Sequence, residues 1–502
     1  MSDLEKQHAY DASGANSVDE GRNARSNGFP LAPTKSRSSQ HGFHEKHTLA
    51  NKPDGVDEAV WLDDASEANI KERKLSWQQA TALLLTEYVV LAILAFPYSY
   101  QVLGYAGATL CTVLIGASTF YSTHILWRYC AAHPEIRDIA DAAQVLVGGR
   151  KFGWWIAFIG LALNNWFIMG LHTVAGATAI QTIRSGSGPN TLIWAIIITL
   201  LMWLPSNVRE FNHFTPLGLI ASLTMFVCAI LVMAGHGAQT HPSGWTPGLE
   251  ITHSVWAPEG TTFVQGTNAV LNIVYTFIGH ALIPSFIGDM ENPKDFPKAL
   301  GISITAQLVM YTIVGAVVYH YAGIELTTAP AYGSLNYKYG HAAAGLVLPT
   351  IIIVGILYSM VTSRAIFFQI FREGSIHRTT HTVKGWGTWF LIVLGGWIIS
   401  FIIGESIPFF SDMLSLIACL FSSWFGYIMW APAWYQLNRG RITRSTWTMI
   451  EAGLSLAIFV AGIFFFTVGT YVSVQSIINS YNNGAVKTPF TTANTGFVLD
   501  NY

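Results

Sequence analysis

The chain has 502 residues, 51% hydrophobic and 11% charged, against about 25% charged in an ordinary soluble domain. That balance excludes a soluble globular protein and describes a polytopic membrane protein; the formal net charge of −2 averages a charged tail with an apolar body, and no nucleic-acid partner is expected from it. Cys111, Cys130, Cys228 and Cys419 form no C-x-x-C, no G-x-x-x-x-G-K-[ST] loop is present, and His44-Glu45-Lys46-His47 is mis-spaced for H-E-x-x-H, which argues against a disulfide framework, a metal or other cofactor, an ATP-driven pump and a membrane protease.

Residues 1–75 hold 10 of the 27 Lys and Arg and 13 of the 29 Asp and Glu, with no apolar run, and read as a disordered cytosolic tail. No cleavable signal peptide precedes the first apolar segment, Trp77 to Gln101, which must therefore direct its own insertion. Glu87 lies near its middle, where a carboxylate is expensive and marks an ion or substrate path unless it is a buried structural acid. Further apolar spans fall near 105–130, 153–183, 191–205, 214–235, 299–323, 345–371, 386–404, 408–435 and 446–478. With a second interrupted segment from Thr262 they make eleven crossings in a domain spanning 76–478, followed by a short extracytosolic tail, 479–502. Between the second and third spans, apolar residues at 136, 139, 140, 143 and 146 have the period of a short helix lying at the membrane interface. In the third span Asn165, Met169, His172 and Gly176 share a face that could line a cavity or hydrogen-bond between helices; in the eighth, Ser359, Thr362 and Ser363 share one that suits a cation or a tight helix contact.

The segment from Thr262 to Lys298 begins as a membrane-grade helix and breaks its pattern at Gly279-His280 and Pro284. Irregular backbone at membrane depth survives only where it is buried in protein or lines a wet cavity, so the break reads as a ligand site; a proline kink with satisfied carbonyls would leave the same letters. The first segment repeats the pattern, since Ala92 precedes Pro97 by five residues as Gly279 precedes Pro284. Interrupted segments at corresponding places in two halves are the signature of an inverted-repeat transporter with its site at the midplane. Thirteen Lys and Arg in one set of loops face three in the other, which puts the N-terminus in the cytosol and the C-terminus opposite.

On TEYVVLAILAFPYSYQVLG and YTFIGHALIPSFIGDMENPKDF, with G-H-x-x-I-P at 279–284 and M-x-N-P-x-x-F at 290–296, the chain resembles the amino acid/auxin permease family, and within it the neutral amino acid permeases of filamentous fungi of the methyltryptophan-resistance type. The resemblance covers roughly residues 75–475; it departs at Ala92, where many relatives have Gly. It implies an all-α leucine-transporter-like fold, a five-plus-five inverted repeat with helices 1 and 6 broken and an eleventh helix added, and secondary active amino acid uptake. It places substrate against Leu91, Ala92, Ile93 and Leu94 and against Thr276, Phe277, Ile278, Gly279 and His280, with Asn165 beside them, and the coupling ion between Glu87 to Leu91 and Ser359, Thr362 and Ser363.

The residues around the breaks offer apolar and tyrosyl side chains but no Arg or Lys, so a neutral amino acid, aliphatic or aromatic, is the expected substrate. Proton symport through Glu87 is favoured over sodium, with His280 as a second titrating group and the plasma membrane favoured over the vacuolar one. An amino acid receptor on the same fold, signalling through the N-terminal tail, is the alternative.

Overall fold

The computed structural model describes residues 75–209, 215–371, 374–484 and 488–500. The expected N-terminal tail lies outside the described residues but for Leu75, as do Arg372 and Lys487 of the charge count. In chain order the helices are α1 (Trp77–Tyr88), α2 (Phe96–Ala132), α3 (Ile139–Leu146), α4 (Lys151–Ile183), α5 (Thr191–Ser206), α6 (Thr215–Ala238), α7 (Phe263–Phe277), α8 (Ile283–Asp289), α9 (Phe296–Leu326), α10 (Tyr337–Ile370), α11 (Val383–Ser406), α12 (Phe410–Ile417), α13 (Trp430–Asn438) and α14 (Thr446–Asn482). Two π-helical turns, Ala418–Ser422 and Trp424–Ile428, carry α12 into α13. Among the described residues eight helical stretches are long and apolar enough to cross a membrane, and with the 16-residue α5 and the two broken segments they make eleven crossings.

The two broken segments are built alike. Ser76 and Gln79 cap α1 reciprocally, the Gln79 N–H donating to Ser76 Oγ at 3.3 Å and the Ser76 N–H to Gln79 Oε1 at 3.0 Å; Thr262 and Gln265 repeat the box on α7 at 3.2 and 2.9 Å. Each cap supplies about 1 kcal/mol and fixes where a broken segment starts. Pro97 and Pro284 both lie in the first turn of the helix that restarts after the break, where a missing N–H costs nothing.

Their antiparallel setting is recorded in the backbone. Leu75 N–H donates to Asp289 O at 3.1 Å and Glu291 N–H to Leu75 O at 3.0 Å, so the start of the first segment meets the end of the sixth. At the other end Ser99 Oγ donates to Ala269 O at 3.0 Å. Segments one to five and six to ten thus form an inverted repeat, the leucine-transporter-like arrangement, with α14 as the eleventh crossing. Around the broken pair, α2 packs along α9, and α4 packs along α10 and α11. Gly104 turns the chain from the first segment into the second at φ 73°, and Trp256 of the loop before α7 lies so close that a Cβ there would stand 2.3 Å from its carbonyl oxygen.

The short helix expected between the second and third spans is α3, capped by Asp138; it packs on α4, and its Ile139, Ala140 and Ala142 are buried. At the other end of the chain α14 runs to Asn482, and residues 488–500 pack back on the bundle: Tyr337 N–H donates to Asp500 O at 2.7 Å, and the Phe497 ring meets Tyr332 edge-on at 5.8 Å.

Candidate functional site

At the first break α1 ends on Tyr88, Val89 and Val90 are non-helical (φ/ψ −84°/72° and −121°/173°), and Leu91–Ala95 form one 3₁₀ turn before α2. Unwinding therefore lies two residues earlier than Leu91 to Leu94, which are buried in the turn itself. Ala92 is not among the described residues with positive φ, so the departure from Gly places no strain there. At the second break α7 ends on Phe277, Ile278 is extended (φ/ψ −95°/99°), and the chain turns through Gly279, His280 and Ala281 into α8. The two breaks touch: a Cβ on Gly279 would stand 3.0 Å from Tyr88 Cε1, so only glycine admits the tyrosine ring at this distance without displacement.

A broken helix leaves carbonyls and N–H groups without intrahelical partners. Two side chains of α9 take the carbonyls: the Tyr311 hydroxyl donates to Tyr88 O, and Gln307 Nε2 donates to Thr276 O at 2.7 Å and to the Tyr311 hydroxyl at 3.2 Å. The N–H groups are different. Ile93 N–H closes the 3₁₀ turn on Val90 O at 3.1 Å, but among the described residues those of Leu91, Ala92, Gly279 and His280 donate to nothing. Tyr88 Oη and Gln307 Oε1, both buried, likewise have no partner. Leu91, Ala92 and His280 are buried and Gly279 is half-buried, whereas buried backbone donors in folded proteins are almost always satisfied.

Glu87, half-buried, accepts from the Tyr358 hydroxyl at 3.1 Å, and Tyr88, Tyr275 and Tyr311 stand within electrostatic range of it. The α10 face that carries Tyr358 continues through Thr362, whose hydroxyl donates to Tyr358 O at 2.8 Å and accepts from Asn165 Nδ2 at 2.9 Å. Ser359 and Ser363 are buried beside it, with Ser359 Oγ unpartnered. Glu87, Tyr358, Thr362 and Asn165 thus form one continuous connection from α1 through α10 to α4. The rest of the supposed cavity face of α4 is packed: Met169 belongs to an apolar cluster with Ile198, Met202 and Trp397, and Gly176 is held against Ile198 and Ile351. Those residues make helix contacts, because α5, α10 and α11 press on α4 from the side where a cavity would lie.

His280 faces elsewhere. Its Nε2 pairs with Ser122 Oγ at 2.8 Å and Thr123 Oγ1 at 3.1 Å on α2, and its ring stacks on Trp430 at 6.0 Å; Nδ1 is unpartnered.

The chain matches the family model for transmembrane amino acid transporter protein over residues 73–475. It belongs to that family. Its relatives are transporters, not enzymes: it is 29% identical to the N amino acid transport system protein of Neurospora crassa, over 86% of this chain and 91% of that one, and 27% identical to a transmembrane transporter of Gibberella moniliformis, over 86% and 90%. Among solved structures it is similar to inward-facing Mhp1, with a TM-score of 0.48 and 13% identity over 85% of this chain and 94% of that one. The chain is a multi-pass integral membrane transporter of the amino acid class.

Three contributors were missed from sequence: Gln307 and Tyr311 on α9 and Tyr358 on α10. The first two form an i, i+4 polar pair inside an apolar span, a legible signal that hydrogen-bonding side chains meet there.

Proposed function

We propose that this transporter carries neutral amino acids, aliphatic or aromatic, by proton symport. The observation that supports the reading most is the four open N–H groups where the breaks touch. They suit an α-carboxylate, with Leu91 and Ala92 on one side and Gly279 and His280 on the other. Thr276 O already accepts from Gln307 and is not free for the α-ammonium. The free acceptors are Gln307 Oε1 and Tyr88 Oη, and these take the ammonium in the present reading. Around them stand Phe96, Phe277 and Ile278, with no Lys or Arg to pair an acidic side chain. Glu87 is reserved for the proton by its link through Tyr358 to the Ser359, Thr362 and Ser363 face.

The test is uptake of labelled leucine into proteoliposomes under an imposed pH gradient. Unlabelled leucine and phenylalanine should compete strongly, arginine and glutamate weakly. Strong inhibition by arginine or glutamate alone overturns the substrate class, and binding without accumulation moves the protein to the receptor reading.

We also propose an orientation with the N-terminus in the cytosol, in the plasma membrane. Among described residues the loops on the side where α1 starts carry Arg128, Arg137, Arg150, Lys151, Arg209, Lys294, Lys298, Arg378, Lys384, Arg439, Arg441 and Arg444, and the opposite loops carry only Arg184 and Lys338. Epitope tags at the two ends should be accessible from opposite sides of intact cells, the C-terminal one from outside. Both tags on one side would rule out eleven crossings.

A further inference from the structure

A second carboxylate is buried in the membrane body away from Glu87. Asp412 lies in the first turn of α12, beside the first turns of α7 and the last of α14. Its Oδ1 accepts from Asn268 Nδ2 at 2.8 Å and Ser476 Oγ at 2.7 Å, and its Oδ2 accepts from Ser480 Oγ at 2.8 Å. Among the described residues no Lys, Arg or His comes within ion-pair distance of it. Its other ionisable neighbour is the Tyr98 phenol.

On the α7 face that meets Ser411 and Asp412, two amide oxygens have nothing to accept. Asn268, 1% exposed, gives its nitrogen to Asp412 and Ser476, an arrangement that fixes the amide's orientation, and its Oδ1 is unbonded. One turn along α7, Asn272, also 1% exposed, gives Nδ2 to Ser411 Oγ at 2.6 Å and leaves Oδ1 unbonded. A buried carboxyl group with no cationic partner and two orphaned acceptors are each costly in a low-dielectric bundle. A cation answers both at once. The available donors are all oxygen, which selects a hard cation, and the single formal charge selects a monovalent one, since a divalent ion would leave an excess positive charge buried.

We propose that Asp412, Asn268 and Asn272 form a binding site for an alkali cation. The site ties α7 to α12 and α14, and Asn272 lies little more than one turn before Phe277, on which α7 ends. Cation occupancy there braces the outer half of the sixth segment, independently of the substrate and proton reading given above.

The full-length protein, purified in detergent without amino acid, is melted in increasing sodium chloride with N-methylglucamine chloride holding ionic strength constant. A ligand that binds only the folded state raises the melting temperature with its concentration. The expected result is a saturable, sodium-dependent rise in the native protein that Asp412→Asn abolishes. Asn272→Ala keeps the carboxylate and its three donors, and should move the sodium midpoint upward roughly tenfold. Identical melting in the two salts, or a wild-type midpoint in Asn272→Ala, overturns the proposal. So does a sodium effect that survives Asp412→Asn and disappears in Thr362→Ala, because the ion then sits against α10.

Discussion

Replacing Glu87 by Gln is expected to abolish pH-driven accumulation of leucine in proteoliposomes while leaving exchange of labelled for unlabelled leucine in place. With one proton coupled per substrate, each unit of pH gradient supplies about 1.4 kcal/mol and sustains about a tenfold accumulation; the variant should settle near equal concentrations inside and out. The substitution is gentle because the contact it must preserve is an acceptor, the oxygen that receives the Tyr358 hydroxyl at 3.1 Å, and a glutamine carbonyl can receive it equally. What it removes is the exchangeable proton. Tyr358→Phe tests the same link from α10 and should weaken coupling while retaining the carboxyl. Should Glu87→Gln still concentrate leucine under a pH gradient, the proton is carried elsewhere, and His280, with an open Nδ1, is the next group to substitute. Should a sodium gradient alone drive uptake, Ser359, Thr362 and Ser363 become the residues to change.

The architecture was readable because its determinants are local. Apolar length marks the crossings, the S/T-x-x-Q boxes at 76 and 262 mark two starts, and Pro97 with Pro284 mark two interruptions. The exact place of unwinding was less readable, since proline signals where a helix can restart and the chain has already left the helix about two turns upstream, at Val89 and at Ile278. What a polar residue in a span bonds to cannot be read from its own helix. Asn165 and Thr362 were each named, but their bond joins residues 197 positions apart; Gln307 and Tyr311 were passed over because their partners are carbonyls on other helices. Asp412 was passed over for another reason. It stands near the start of its span, where an acid is ordinary by hydropathy, and only packing by α7 and α14 buries it.

Tyr311→Phe and Gln307→Leu are expected to produce the largest loss of apparent substrate affinity among changes that leave every proposed substrate-contacting N–H in place. Tyr311→Phe removes one of two donors to Tyr88 O, which keeps the Val90 N–H at 3.0 Å, and Gln307→Leu removes the donor to Thr276 O together with the Oε1 proposed to receive the α-ammonium, so the larger loss is expected from Gln307→Leu. A buried acceptor left without a donor costs about 1–3 kcal/mol, and the cost falls only on conformations in which the break is open. At the first break the chain has a remedy: winding Val89 and Val90 into α1 brings the Ala92 N–H into helical register with Tyr88 O and so withdraws it from the substrate. The open break then becomes the minor state, and apparent affinity falls by its population, roughly 5- to 150-fold for that range of energies. Because Gln307 also donates to Tyr311 at 3.2 Å, the two losses should not add in the double variant. Measured as the leucine concentration for half-maximal uptake, with elution from a sizing column to verify folding, the singles should shift strongly and the double by less than their product. Wild-type affinity in both singles would mean that the freed carbonyls do not hold the breaks open, and the pairing of α9 with the two interrupted segments would be structural alone.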